Sequence, residues 1–144
     1  MNIIRNTLAV LIGLAAAMLI ITLGIRMFPQ WITFDGFTPF ERWSSFLKSM
    51  NKDPDFFWFL LLISGLATVV GGVFTALIVK YAKVAYAILI GFIMLFLAML
   101  DVIIFPYHPT FYKIGIFLTF FPFSWIGGKI VEVIYDRKKK RKVN

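Results

Sequence analysis

Three polar side chains near the end of a long apolar run are the residues of this sequence best suited to chemistry. Asp101 lies inside the run, and His108 and Lys113 follow it across a short connection. An ionisable residue at membrane depth is costly and usually marks a functional site. The three residues therefore predict a polar rim site for a proton, an ion or a polar headgroup. In the alternative, structural interpretation, Asp101 reaches the interface or pairs with Lys113 or Arg26.

Other catalytic patterns are missing from the sequence. It contains no P-loop, no G-x-S-x-G elbow and no H-E-x-x-H motif. It also has no cysteine and only one histidine, which excludes thiol chemistry and a zinc site built on several histidines of one chain. We therefore expect no enzyme activity, no cofactor and no metal.

The composition is that of a membrane protein. Of the 144 residues, 60% are hydrophobic and 15% are charged, against roughly 45–50% and about 25% in soluble domains. A soluble fold of this length could not bury so much apolar surface. The net charge of +8 comes from basic residues beside apolar segments, so membrane topology explains it and a nucleic-acid partner is excluded.

Four apolar runs predict four transmembrane helices in a single domain, residues 1–144. We place the spans at about 7–27, 56–79, 84–105 and 111–134, since about 20 residues of helix cross the hydrocarbon core. The predicted fold is an all-α, polytopic four-transmembrane-helix bundle. The connections at 81–83 and 106–110 are short, so the last three spans should be antiparallel neighbours. Pro122 is expected to kink the fourth span.

The first outer loop, residues 29–55, contains a helix-start pattern. Thr38 is placed as N-cap, Pro39 as the first helical residue and Glu41 three residues after the cap. An amphipathic helix at about 39–50 is predicted, which lies flat on the membrane or caps the bundle. Its apolar face carries Phe40, Trp43, Phe46, Leu47 and Met50.

Small residues at helical spacing predict where the spans pack together. Most of this packing should lie within the bundle, although a homo-oligomer or a larger membrane complex is the alternative. The residues are Gly13 and Ala17 in the first span, Ser64, Thr68, Gly71 and Gly72 in the second, and Gly91 in the third.

Lysine and arginine are distributed unevenly between the flanks of the spans. With the N-terminus inside, ten lie on the cytoplasmic side and five outside, which predicts that both termini are cytoplasmic. A cluster after the last span, the basic tail of residues 136–144, predicts an anchor to anionic lipid at that face. The anchor residues are Arg137, Lys138, Lys139, Lys140, Arg141 and Lys142.

Residues 56–130 resemble small uncharacterised bacterial four-span membrane proteins. The resemblance is carried by Gly71, Gly72, Gly91, the turn 105–109 and, in the last span, Trp125, Gly127 and Gly128. It implies a bacterial inner membrane and no assigned activity.

Two functional hypotheses follow. The first is a non-catalytic membrane subunit or accessory protein that packs against itself or a larger assembly. The second is a small transporter, channel or lipid-binding protein that uses the rim site near Asp101.

The topology can be tested with reporters. Tags fused at Met1 and at Asn144 should both report the cytoplasmic side, because Lys and Arg are retained there during insertion. Opposite sides for the two tags would contradict the four-span topology.

Overall fold

A computed structural model describes residues 2–28 and 38–143, and these residues form five helices. We number them α1 (Asn2–Arg26), α2 (Pro39–Met50), α3 (Pro54–Ile78), α4 (Lys83–Ile104) and α5 (Thr110–Val143). Helices α1, α3, α4 and α5 are long and apolar enough to cross a membrane. The predicted all-α four-helix fold is confirmed. The first part of the outer loop, residues 29–37 including Asp35, lies outside the described residues.

Local capping explains where the helices begin and end. Thr38 accepts a hydrogen bond from the backbone N–H of Glu41 at 3.4 Å and begins α2. Asp53 accepts from the N–H of Asp55 and begins α3. At the other end of α3, the ammonium group of Lys83 donates to the carbonyls of Ala76 and Val79, which the helix itself leaves unpaired.

Helix α3 is the centre of the bundle. It packs against α1 on one side and α5 on the other, and α4 packs mainly against α5 and also against α3. Helices α1 and α4 make few contacts with each other. A groove between α1 and α4 is therefore left beside the central helix.

Adjacent glycines let α3 approach both of its neighbours. Gly71 faces α1. If Gly71 carried a Cβ atom, that atom would lie 2.8 Å from the carbonyl oxygen of Gly13 and 3.2 Å from the Cβ of Ala17. Gly72 faces α4 and α5. A Cβ atom added to it would lie 3.3 Å from the carbonyl oxygen of Ser124 and 3.4 Å from the Cβ of Ala87. Successive residues are turned by roughly 100° around a helix, so a Gly-Gly pair serves two seams at once.

The other predicted packing residues also lie inside the bundle. Gly91 of α4 lies against Ser124 and the carbonyl of Phe120 on α5. The hydroxyl of Thr75 donates across the seam to the carbonyl of Ala9 at 3.2 Å. Thr68 donates to the carbonyl of Ser64 within α3, and both side chains are buried.

Helix α5 is longer than the span predicted in it. It runs through Pro122 and continues along the basic tail to Val143. The tail residues are good helix formers, and their positive charges suit the negative end of the helix dipole. All six anchor residues are exposed.

Helix α2 lies across the end of the bundle that carries the α4–α5 turn. Phe46, Leu47 and Met50 are buried in the core cluster that also contains Phe56 and Phe57 of α3. Phe46 meets Phe56 edge to face with ring centroids 5.2 Å apart. Glu41 and Lys48 remain exposed. This packing fixes the position of Trp43, which lies on the same helix.

Substitution of Gly127 should test the close packing of α5 on α3. A methyl group at Gly127 would lie 2.5 Å from the backbone oxygen of Val69, so Gly127→Ala must move one helix and should lower the free energy of unfolding by about 1–3 kcal/mol. In the matched control Gly115→Ala, the new methyl meets the movable tip of Leu61. Unfolding in mixed detergent micelles measures both. An equal loss in the two variants would contradict this packing.

Candidate functional site

Two of the three predicted rim residues are in contact. The Oδ2 atom of Asp101, in the last turn of α4, lies 3.0 Å from Nε2 of His108 in the α4–α5 turn. The histidine side chain is fully buried, and the aspartate side chain is 22% exposed. Lys113 is exposed on α5. Among the described residues, the side chain of Asp101 contacts His108 and does not pair with Lys113 or Arg26.

A third residue of the site comes from a distant part of the sequence. The indole Nε1–H of Trp43 on α2 donates to Oδ1 of Asp101 at 2.6 Å. Sequence reasoning placed Trp43 on the apolar face of α2 and missed this role. The available signal was its N–H group, since a buried indole usually finds an acceptor.

The turn before α5 fixes the orientation of the imidazole. Nδ1 of His108 lies 2.9 Å from the carbonyl oxygen of Phe105, which also accepts the backbone N–H of Tyr107 at 2.8 Å. The ring of Tyr112 stacks on the imidazole with centroids 4.9 Å apart. Phe57 of α3 approaches from another side at 5.7 Å. The ring is held by three elements and has little freedom to turn.

A lateral cleft begins at Asp101 and extends into the bundle. It has a volume of about 470 Å³ and lies between α1 and α4, with α2 at one end and α3 and α5 at its back. Met18 and Leu97 at its edges are 46% and 42% exposed, so the cleft opens sideways between α1 and α4. Its deeper wall includes Leu60, Ser64 and Phe120, and the polar end includes Trp43, Asp101 and Tyr112.

The chemical character of the lateral cleft is simple. Its lining is almost entirely apolar, and Asp101 is the charged residue that lines it. Of the residues that the structure describes, neither a lysine nor an arginine lines it. In the described chain no group of three or more His, Asp or Glu side chains is placed to hold a metal ion. The cleft can hold an apolar chain with a polar group at Asp101.

The opposite end of the bundle carries a separate polar set. Asn6 of α1 donates to the hydroxyl of Tyr86 of α4 at 2.8 Å. Lys83 lies over the ring of Tyr135 at 4.2 Å from its centroid. These contacts join the ends of α1, α4 and α5 beside the basic tail, and they leave Lys83 engaged as a cap of α3.

Replacement of Trp43 should measure the strength of the contact between α2 and α4. Trp43→Phe keeps an aromatic ring but removes the N–H donor, so the free energy of unfolding should fall by about 1–3 kcal/mol. Trp58 is the control, because it is 61% exposed and stacks on Phe111. Trp58→Phe should change stability by less than about 0.5 kcal/mol. A Trp43→Phe variant as stable as this control would show that the contact contributes nothing.

Comparison with protein-family models, with curated proteins and with solved structures finds no match for this chain.

Proposed function

We propose that this protein binds one membrane amphiphile in the lateral cleft, with the polar head at Asp101 and the apolar chain between α1 and α4. The observation that carries this proposal is a half-enclosed apolar cleft of about 470 Å³ that ends at a carboxylate. Small-molecule sites are typically ~300–1,000 Å³, apolar, and equipped with a few placed polar groups. This is the lipid-binding form of the rim-site hypothesis.

The polar end favours a head group that donates hydrogen bonds. A carboxylate has about four acceptor positions, and Trp43 and His108 occupy two sides of Asp101. The remaining acceptor capacity suits a hydroxyl or an amine. A phosphate or sulfate head is disfavoured, because none of the described lining residues is a lysine or arginine that could compensate its charge.

The ligand would enter from the lipid phase. The cleft lies between two helices that each have the length and apolar character of a membrane span, and its exposed edge is formed by Met18 and Leu97. At the end of the cleft that contains Asp101, Pro39 and Trp43 of the amphipathic helix α2 close the cleft towards water. An amphiphile dissolved in the bilayer therefore has a direct path to Asp101.

The accessory-subunit hypothesis has weaker support. It relies on small-residue stripes that another membrane helix would cover. Gly13, Gly71, Gly72 and Gly91 are all buried against neighbouring helices of the same chain. A homo-oligomer or a larger assembly would therefore have to use other surfaces, and this hypothesis stays a prediction.

We further propose a bacterial inner membrane with both termini in the cytoplasm. The excess of lysine and arginine at the end with Lys83 and the basic tail supports this orientation. In it, the tail contacts anionic lipid, while α2 and the Asp101 site lie at the outer face.

Fluorescence quenching tests ligand binding in the cleft. The probe is a long-chain alcohol brominated along its chain, and the reporter is Trp43 in a background with Trp31→Phe, Trp58→Phe and Trp125→Phe. We expect saturable quenching by the alcohol and by the matching amine, and none above the lipid background by the matching alkyl sulfate. Equal quenching by all three would contradict the proposed head-group selectivity.

A pair of variants locates the binding site. Ala98 lines the cleft, so Ala98→Phe should fill it and weaken binding by at least about tenfold, equivalent to ~1.4 kcal/mol. Ala85 lies on the same helix and is exposed outside the cleft, so Ala85→Phe should bind normally. Thermal unfolding establishes that both variants are folded. Unchanged binding by folded Ala98→Phe would overturn the proposal.

A further inference from the structure

The hydrogen bonds of His108 determine which of its ring nitrogens carries a proton. Nδ1 lies 2.9 Å from the carbonyl oxygen of Phe105. A carbonyl oxygen can only accept a hydrogen bond, so Nδ1 must be the donor. In a neutral imidazole with a proton on Nδ1, the other nitrogen Nε2 has only a lone pair.

That lone pair would face another acceptor. Nε2 lies 3.0 Å from Oδ2 of Asp101, and an ionised carboxylate only accepts. Nε2 is buried, and within residues 2–28 and 38–143 no atom, Oδ2 of Asp101 included, is aligned with it as a hydrogen-bond partner. Two unprotonated acceptors only 3.0 Å apart repel each other, and a proton on either Nε2 or the carboxyl group would turn this repulsion into attraction.

We propose that Asp101 and His108 form a proton-binding site. With its proton bound, the pair is either an imidazolium beside a carboxylate or a neutral imidazole beside a carboxylic acid. In either form the net charge of the pair is zero. A neutral pair is also the form that burial beside lipid favours, since an uncompensated charge there is costly. The ligand of this site is the proton itself, so the inference does not depend on a ligand in the lateral cleft.

The bound proton also controls the attachment of α2. Asp101 uses Oδ2 for His108 and Oδ1 for Trp43 of α2, at 2.6 Å. When the proton leaves, repulsion separates Oδ2 from Nε2 and shifts the carboxylate that holds the indole. Loss of the proton should therefore loosen α2 over the mouth of the cleft, and a bound proton should keep α2 docked.

The groups around the pair leave few other sources of a pH effect. Tyr112 is the titratable side chain that stacks on His108 from α5, while α3 contributes the apolar ring of Phe57 and α2 contributes Trp43. Lys113, next along α5, is exposed. Variants of Asp101 can therefore separate titration of the pair from that of Tyr112.

Nuclear magnetic resonance of the full-length protein in lipid nanodiscs tests the proposal. The chain has one histidine, so the signals of ¹⁵N-labelled histidine all come from His108. The indole N–H signal of Trp43 is the one that is lost in the Trp43→Phe variant. While α2 is docked, we expect either both ring nitrogens protonated or an infrared band of a protonated carboxyl that disappears in Asp101→Asn. On raising the pH, the Trp43 signal and hydrogen exchange in α2 should change with the same midpoint as His108.

Asp101→Asn provides the decisive variant. The introduced amide can donate to Nε2 through its NH₂ group and accept from Trp43 through its oxygen, so it should reproduce the protonated pair without a titratable group. In this variant α2 should stay docked across the pH range. Asp55→Asn is the control, because Asp55 is exposed at the start of α3. In this variant α2 should respond to pH as it does in the unmodified protein.

Three results would overturn the proposal. The first is an ionised carboxylate beside a neutral imidazole while α2 is docked. The second is a titration of His108 that leaves Trp43 and α2 unchanged. The third is an Asp101→Asn variant in which α2 still loosens with pH as in the unmodified protein. Failure of amphiphile binding would leave all three measurements intact, so the two proposals can fail separately.

Discussion

The need to compensate one carboxylate at the edge of the lipid phase constrains this end of the molecule. A buried charge without partners is strongly destabilising, and Asp101 obtains its partners from two different elements. Trp43 brings α2 to it, and His108 brings the α4–α5 turn. These two contacts define the polar end of the cleft, and they add to the buried packing of Phe46, Leu47 and Met50 that holds α2 on the bundle.

The glycine seams explain why a cleft exists at all. Helix α3 uses Gly71 to approach α1 and Gly72 to approach the opposite side, and Gly91 lets α4 approach α5 closely. These close approaches place α4 beside α5 and leave it with few contacts to α1. The gap that results is filled by neither helix, and α2 covers only its end. Tight packing on one side of the bundle thus produces the open groove on the other.

The proposed ligand site and the proposed proton site involve the same atoms. The carboxylate of Asp101 accepts the indole N–H of Trp43 and contacts His108, and in our two proposals it also binds the ligand head and shares the proton. A ligand that donates to Asp101 would compete with or replace part of this network. The two proposals therefore connect occupancy of the cleft, protonation and the attachment of α2 through one side chain.

The sequence by itself determined the four spans, the short connections and the start of α2. These depend on local properties: the length of apolar runs, proline and the capping preference of Thr38, all of which act within a few residues. It also predicted Asp101, His108 and Lys113 as one rim site, because only a short connection separates Asp101 from the other two. The functional role of the site stays a prediction.

Only the tertiary structure decided which faces meet. Trp43 is 58 positions from Asp101, and helical periodicity says which side of α2 is apolar but not which residue lies opposite. Sequence spacing allowed either Gly71 or Gly72 in a seam, whereas the structure uses both, because α3 has a neighbour on each side. From the sequence, Lys113 was as plausible a partner for Asp101 as His108. In the structure, the rotation of α5 about its axis places Lys113 on an exposed face. Helix rotation and distance between neighbours are set by long-range packing, and that is why local patterns could not supply them.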